Sequence, residues 1–181
     1  MQDTGIVRRI DELGRVVIPK ELRKTLRIRE GDPLEIYTNK DELIFRKYSP
    51  ISTINNYAEA VADGIEEVIE KTCIITDNDA VIYVSGKNKD AVGKIISNDL
   101  EKVMQERKSL VLNKSDGGNM VSVIKGEDMK AENQIIVPIV SVSGDCYGSV
   151  LVYDTDKGAR FSATDVRFAK LGAAFLSKQF D

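Results

Sequence analysis

Residues 5–10 and 15–18 read as two short strands around Asp11-Glu12-Leu13-Gly14, a turn-like tetrapeptide ending in glycine. Their apolar residues fall on both faces. Ile6 and Ile10 alternate with Val7 on the first strand, and Val16 and Ile18 with Val17 on the second. A hairpin with two apolar faces needs another surface to cover it. The first 50 residues cannot supply one, because a piece of about this size without a disulfide or metal buries little core. The pattern therefore calls for an obligate, interleaved homodimer through residues 1–50.

The rest of this piece is short-range structure. Residues 20–26 favour a helix, with Pro19 suited to its first position, where a missing N–H costs nothing. Gly31-Asp32-Pro33 marks a turn. Residues 34–38 and 42–48 alternate apolar and polar around Asn39-Lys40-Asp41 and read as a β-hairpin.

Charge separates the two halves. Residues 1–50 carry eleven Lys/Arg and nine Asp/Glu, a net +2; residues 51–181 carry fifteen and twenty, a net −5, giving the −3 of the whole chain. The basic residues cluster: residues 5–28 hold seven of them against three acids. An isolated surface arginine is ordinarily a solvated charge. A cluster at the start of an acidic chain points to a polyanionic partner for the small N-terminal piece.

Other function classes recede. The chain has no histidine, which removes the commonest general base and zinc ligand. Cys73 and Cys146 are far apart and read as buried free thiols of a reducing compartment. No apolar run approaches the roughly 20 residues that cross a bilayer, and MQDTGIVRRI lacks the apolar segment of a signal peptide. The expectation is a cytoplasmic protein that is not an enzyme, with no metal, no cofactor and no membrane partner.

The second half, residues 51–181, reads as a separate α+β domain. Ser49 is placed to cap a helix with Pro50 at its first position. Ile51, Ile54, Ala58, Val61, Ile65 and Val68 then make a heptad seam, which serves either a partner helix or the domain's own core. Residues 73–76 and 81–85 read as strands, residues 88–107 as a helix, and 110–112 and 121–124 as short strands. Residues 134–142 and 147–153 form the clearest hairpin, turning at Ser143-Gly144-Asp145. Ser162 and Asp165 form a capping box for the last helix, with Phe161 and Val166 as its staple. Its stripe Val166, Ala169, Ala173, Leu176 and Phe180 is widened by Phe168, Leu171 and Phe175, broad enough to meet both a sheet and another helix. The whole is an antiparallel sheet flanked by helices.

The stretch TGIVRRIDELGRVVIPKELRKTLRIREGDPLEIY, with GRVVIP-x-ELR at its heart, resembles the N-terminal domain of AbrB-type transition-state regulators. The order and length of the two domains resemble the stage V sporulation branch of these regulators, whose second domain is GAF-like. The resemblance implies an N-terminal swapped-hairpin dimeric barrel with a short helix, and a C-terminal GAF-like domain for ligand sensing, oligomerisation or both. It implies a transcription regulator of sporulation that binds double-stranded DNA. It places the DNA contacts at Arg8, Arg15, Arg23 and Lys24, with Arg9 auxiliary. Lys24 stands where an arginine is common, so charge is kept there and a bidentate contact is lost. Helices 50–71 and 162–180 would extend the homodimer to a homotetramer. Residues 113–131 would cover a pocket for an unidentified small molecule, with Tyr83, Ser85 and Met120 as candidate lining. Two other readings remain. Swapped hairpins also occur in antitoxins, whose C-terminal tails are short and disordered. Some GAF-like domains reduce methionine sulfoxide with clustered cysteines.

Overall fold

The computed structural model describes residues 5–49, 51 and 54–180. The chain divides into two compact units, residues 1–48 and 49–181.

In the first unit, α1 (Lys20–Thr25) precedes a hairpin of β1 (Leu34–Asn39) and β2 (Glu42–Lys47). The pair is antiparallel with Asn39 opposite Glu42, so the loop is Lys40-Asp41, with Lys40 at φ 50°. Pro19 is the N-cap of α1 rather than its first residue; its ψ of 147° is extended, one step before the helix. The strands expected at 5–10 and 15–18 are not formed within one chain. The Asp11–Arg15 turn between them is closed, by Asp11 N–H donating to the Arg15 carbonyl at 3.0 Å. Beyond that bond, no ladder joins the two arms to each other or to the β1–β2 hairpin among the described residues. Of residues 5–48, only Pro19 is buried.

In the second unit, α2 (Asn55–Ile69), β3 (Thr72–Thr76) and β4 (Val81–Ser85) are followed by α3 (Asn98–Glu106) and β5 (Leu110–Asn113). The chain closes with β6 (Asn133–Val140), β7 (Cys146–Asp154) and α4 (Ala163–Ser177). The five strands form one antiparallel sheet in the order β4-β3-β7-β6-β5. Both faces of its central strands are buried. Cys73, Ile75, Val150 and Val152 point into a core with α2 and α4; Ile74, Leu151 and Tyr153 point into a second core with α3.

Three local readings need correction. Residues 88–107 are not one helix. Gly93 N–H donates to the Val81 carbonyl and Val81 N–H to the Lys94 carbonyl, so this stretch runs beside β4. Ser97 then caps α3, accepting from Leu100 N–H. Residues 121–124 are not a strand, because the buried Gln134 amide takes both polar backbone groups of Val121, at 2.9 Å each. The β6 strand ends at Val140, not 142.

The heptad seam turns inward. Ile51, Ala58 and Ile65 are buried in the unit's own core. Gly172 of α4 lets the two helices close up: a Cβ there would lie 2.7 Å from Ile65 Cδ1. The expected Ser49–Pro50 cap falls partly on residues outside those described; Ser49 Oγ donates to the buried Asp77 carboxylate at 2.6 Å.

The capping box of α4 is present in both directions, with Ser162 Oγ accepting from Asp165 N–H and Asp165 Oδ2 from Ser162 N–H. Ser162→Ala is expected to destabilise the second unit by about 1 kcal/mol, measurable as a lower urea midpoint at unchanged slope.

Candidate nucleic-acid interface and second-domain cleft

The five basic candidates lie on three short pieces of the first unit. Arg8 and Arg9 are on the arm before the turn, Arg15 is on the arm after it, and Arg23 and Lys24 are in the last turn of α1. All five are exposed. The structure brings Arg23 and Lys24 together on the helix. It joins the arms of Arg8–Arg9 and Arg15 only through the Asp11 turn.

Asp11 builds that turn. Its Oδ1 accepts from Leu13 N–H at 3.0 Å and Arg15 N–H at 2.8 Å, and its Oδ2 accepts from Arg15 Nε at 2.8 Å. Gly14 takes φ 75°, which the tight reversal requires. The Arg15 backbone N–H, then its guanidinium, hold the Asp11 carboxyl below the usual carboxylate range. With Nε occupied, the Nη groups of Arg15 remain for a ligand, and its side chain is 70% exposed. Among the described residues, Arg8, Arg9, Arg23 and Lys24 have no carboxylate partner. No described carboxylate neutralises their charge, as a phosphate-binding surface requires.

The second unit has a cleft of about 240 Å³ on the α3 side of the sheet. Its floor includes Ile74 of β3 and Tyr153 of β7, and residues 123–130 form part of its wall. Sequence reasoning located that wall within 113–131 but missed the lining. Tyr83 points to the other side, its hydroxyl 3.3 Å from Asp63 of α2, and neither Ser85 nor Met120 lines the cleft. The residues that do, Asn88, Lys94 and Tyr153, sit in no motif; the pairing of β3 with both β4 and β7 brings them together.

Neither cysteine is set up as a nucleophile. Burial pushes the Cys73 thiol far up, and burial also raises Cys146. Both are free. Among the described residues, no helix is long and apolar enough to cross a membrane.

Two family models match. Residues 53–181 match the stage V sporulation protein T C-terminal, transcription factor family, and residues 7–52 match the antidote-toxin recognition MazE, bacterial antitoxin family. The chain is 42% identical to stage V sporulation protein T of Bacillus subtilis (strain 168), over 100% of this chain and 99% of that one. It is 52% identical to the transition state regulatory protein AbrB of the same organism over 66 residues, 36% of this chain and 69% of that protein. The GAF domain of an Acinetobacter phosphoenolpyruvate-protein phosphotransferase superposes with a TM-score of 0.55 at 18% identity, covering 71% of this chain and 86% of that one. The second unit thus has the GAF fold.

Proposed function

The chain belongs to the stage V sporulation protein T family, and from that premise we propose that Arg8, Arg9, Arg15, Arg23 and Lys24 are the residues with which it meets double-stranded DNA. The protein is a DNA-binding regulator of sporulation transcription, with an AbrB-like N-terminal domain and a GAF-like C-terminal domain. The observation that carries the residue assignment is the cluster of exposed cations: Arg8, Arg9, Arg23 and Lys24 have no carboxylate partner among the described residues, and Arg15, paired with Asp11 through Nε, keeps its Nη groups exposed. We divide the work at residue 50: residues 1–50 bind DNA as a swapped-hairpin dimer, and residues 51–181 sense a ligand and extend the assembly. The acidic second domain repels DNA and so confines binding to the basic face. Its place is the cytoplasm, with the chromosome.

The outer surface of α2 and α4 supports a homotetramer. Tyr57 and Phe175 meet edge to face, with centroids 6.0 Å apart, and both are exposed, as are Val68 and Leu171. The exposed side of α2 is acidic (Glu59, Asp63, Glu67), and that of α4 is basic (Arg167, Lys170). A two-fold partner can set one row against the other.

The antitoxin reading of the first domain fits the rest of the chain poorly: residues 49–181 form a folded unit with two cores rather than a short tail. A thiol-dependent reductase fits poorly too, since both thiols are held in their neutral form.

The test is fluorescence anisotropy of a labelled AT-rich duplex with the intact protein across a salt series. Four principal cations doubled by the dimer give about eight contacts, so the log–log slope is expected at about −5 to −7. No binding at low salt by a folded dimer would overturn the regulator mechanism.

A further inference from the structure

We propose that the cleft of the GAF-like domain takes a small aliphatic carboxylate; the inference rests on reading that domain as a sensory one. The polar wall of the cleft carries unused donors. Asn88 Nδ2 donates to Tyr153 Oη at 2.6 Å, and Tyr153 is 4% exposed. The phenolic proton then has no acceptor among the described residues. If the amide is turned so that its oxygen accepts that proton, the two amide N–H groups are left instead. Either way this pair offers a hydrogen-bond donor at the cleft.

Lys94 adds a second. Its ammonium has three N–H groups, and it contacts Glu127 Oε1 at 3.0 Å and Asp90 Oδ2 at 3.2 Å, leaving one. These carboxylates hold Lys94 charged, Glu127 foremost. The floor is of opposite character: Ile74, Ala91 and Val123 are buried and apolar. Donors on one wall and hydrocarbon below fit a carboxylate head on an aliphatic body.

Size and charge narrow the class. A cleft of about 240 Å³ suits a small molecule. The charged lining is Lys94 and Lys130 against Asp90, Glu127 and Asp128, a net −1. That balance opposes a multiply charged phosphate ester more strongly than a monoanion, whose head can take the remaining Lys94 N–H and the Asn88–Tyr153 donor. Asp128 also stands ready for an ammonium group, so the carboxylate can belong to a free acid or to an amino acid.

The experiment is calorimetric titration of the full-length protein with 4-methylpentanoate, leucine, 3-methylbutylamine and AMP. Binding of either carboxylate without the amine supports the proposal, and the ratio of 4-methylpentanoate to leucine affinity tells the two sources apart. Tyr153→Phe is expected to weaken carboxylate binding about tenfold. Lys94→Met, at a half-buried position, should do the same and serves if the Phe variant does not fold. Equal affinity in both variants, or amine binding as tight as carboxylate, overturns the assignment. AMP binding alone leaves the sensory reading standing and removes the carboxylate. Silence from all four probes overturns the carboxylate and counts against the sensory reading as well.

Discussion

Arg15→Ala is expected to weaken binding of the intact protein to an AT-rich duplex by roughly 1–3 kcal/mol, about 5- to 150-fold, if each Arg15 makes a bidentate base contact. Geometry favours this residue over its neighbours. Arg15 is the one candidate whose guanidinium is held from behind: Asp11 fixes Nε and, through its other oxygen, the backbone of the turn itself. A side chain fixed in this way loses less freedom on binding than Arg8 or Arg9, which have no such anchor. Arg15→Lys separates charge from shape. It should keep the salt slope, because the positive charge remains, yet lose most of the affinity that Ala loses, because lysine cannot present a fork. Unchanged affinity in a folded Arg15→Ala dimer would refute the assignment. The anchor also has a pH signature. Asp11 is held below its ordinary value in the folded turn, so its contribution is complete at neutral pH. It disappears only as pH falls through that lowered value, and binding near pH 7 should therefore be flat as far as this pair is concerned.

What could be read from the sequence was whatever local chemistry decides. The Ser162–Asp165 capping box, the 34–48 hairpin and the β6–β7 pair are specified by residues a few positions apart, and they formed. The misreadings arose where a distant partner decides. Residues 88–97 have helical composition, but only a single 3-10 turn forms at Lys89–Ala91 before Gly93 and Lys94 pair with Val81 of β4. Residues 121–124 look like a strand, but the Gln134 side chain stands in for the neighbouring strand. The heptad seam of α2 was visible, but which surface it meets was not. Gly172, more than a hundred residues further on, lets α4 approach closely enough to bury it. The same limit applies to function. The basic cluster is contiguous in the sequence, whereas Asn88, Lys94 and Tyr153 become neighbours only through the sheet.

Val17→Asp is expected to abolish DNA binding and dimerisation through residues 1–50 while leaving the thermal transition of the second unit in place. Val7 is 86% and Val17 73% exposed in the single chain, as no stable isolated domain of this size could tolerate across thirteen large apolar side chains. Interleaving with a second copy is what covers them. Burying one valine contributes roughly 1.5–2 kcal/mol, and each substitution occurs twice in a dimer, so about 3 kcal/mol is lost before the cost of the carboxylate is counted. Placing that carboxylate in an apolar barrel adds several kcal/mol more, which together exceeds what a small domain has in reserve. The second unit carries its own two cores and shares none of this loss. If α2 and α4 hold an independent interface, sedimentation should show a tetramer reduced to a dimer rather than to a monomer. Val142→Asp, at a position 90% exposed on the β6–β7 turn, is the matching control and should change neither assembly nor binding. A Val17→Asp protein that still bound DNA with full affinity would mean that the arms are not buried between chains. The basic residues they carry would then need some other scaffold to hold them in register.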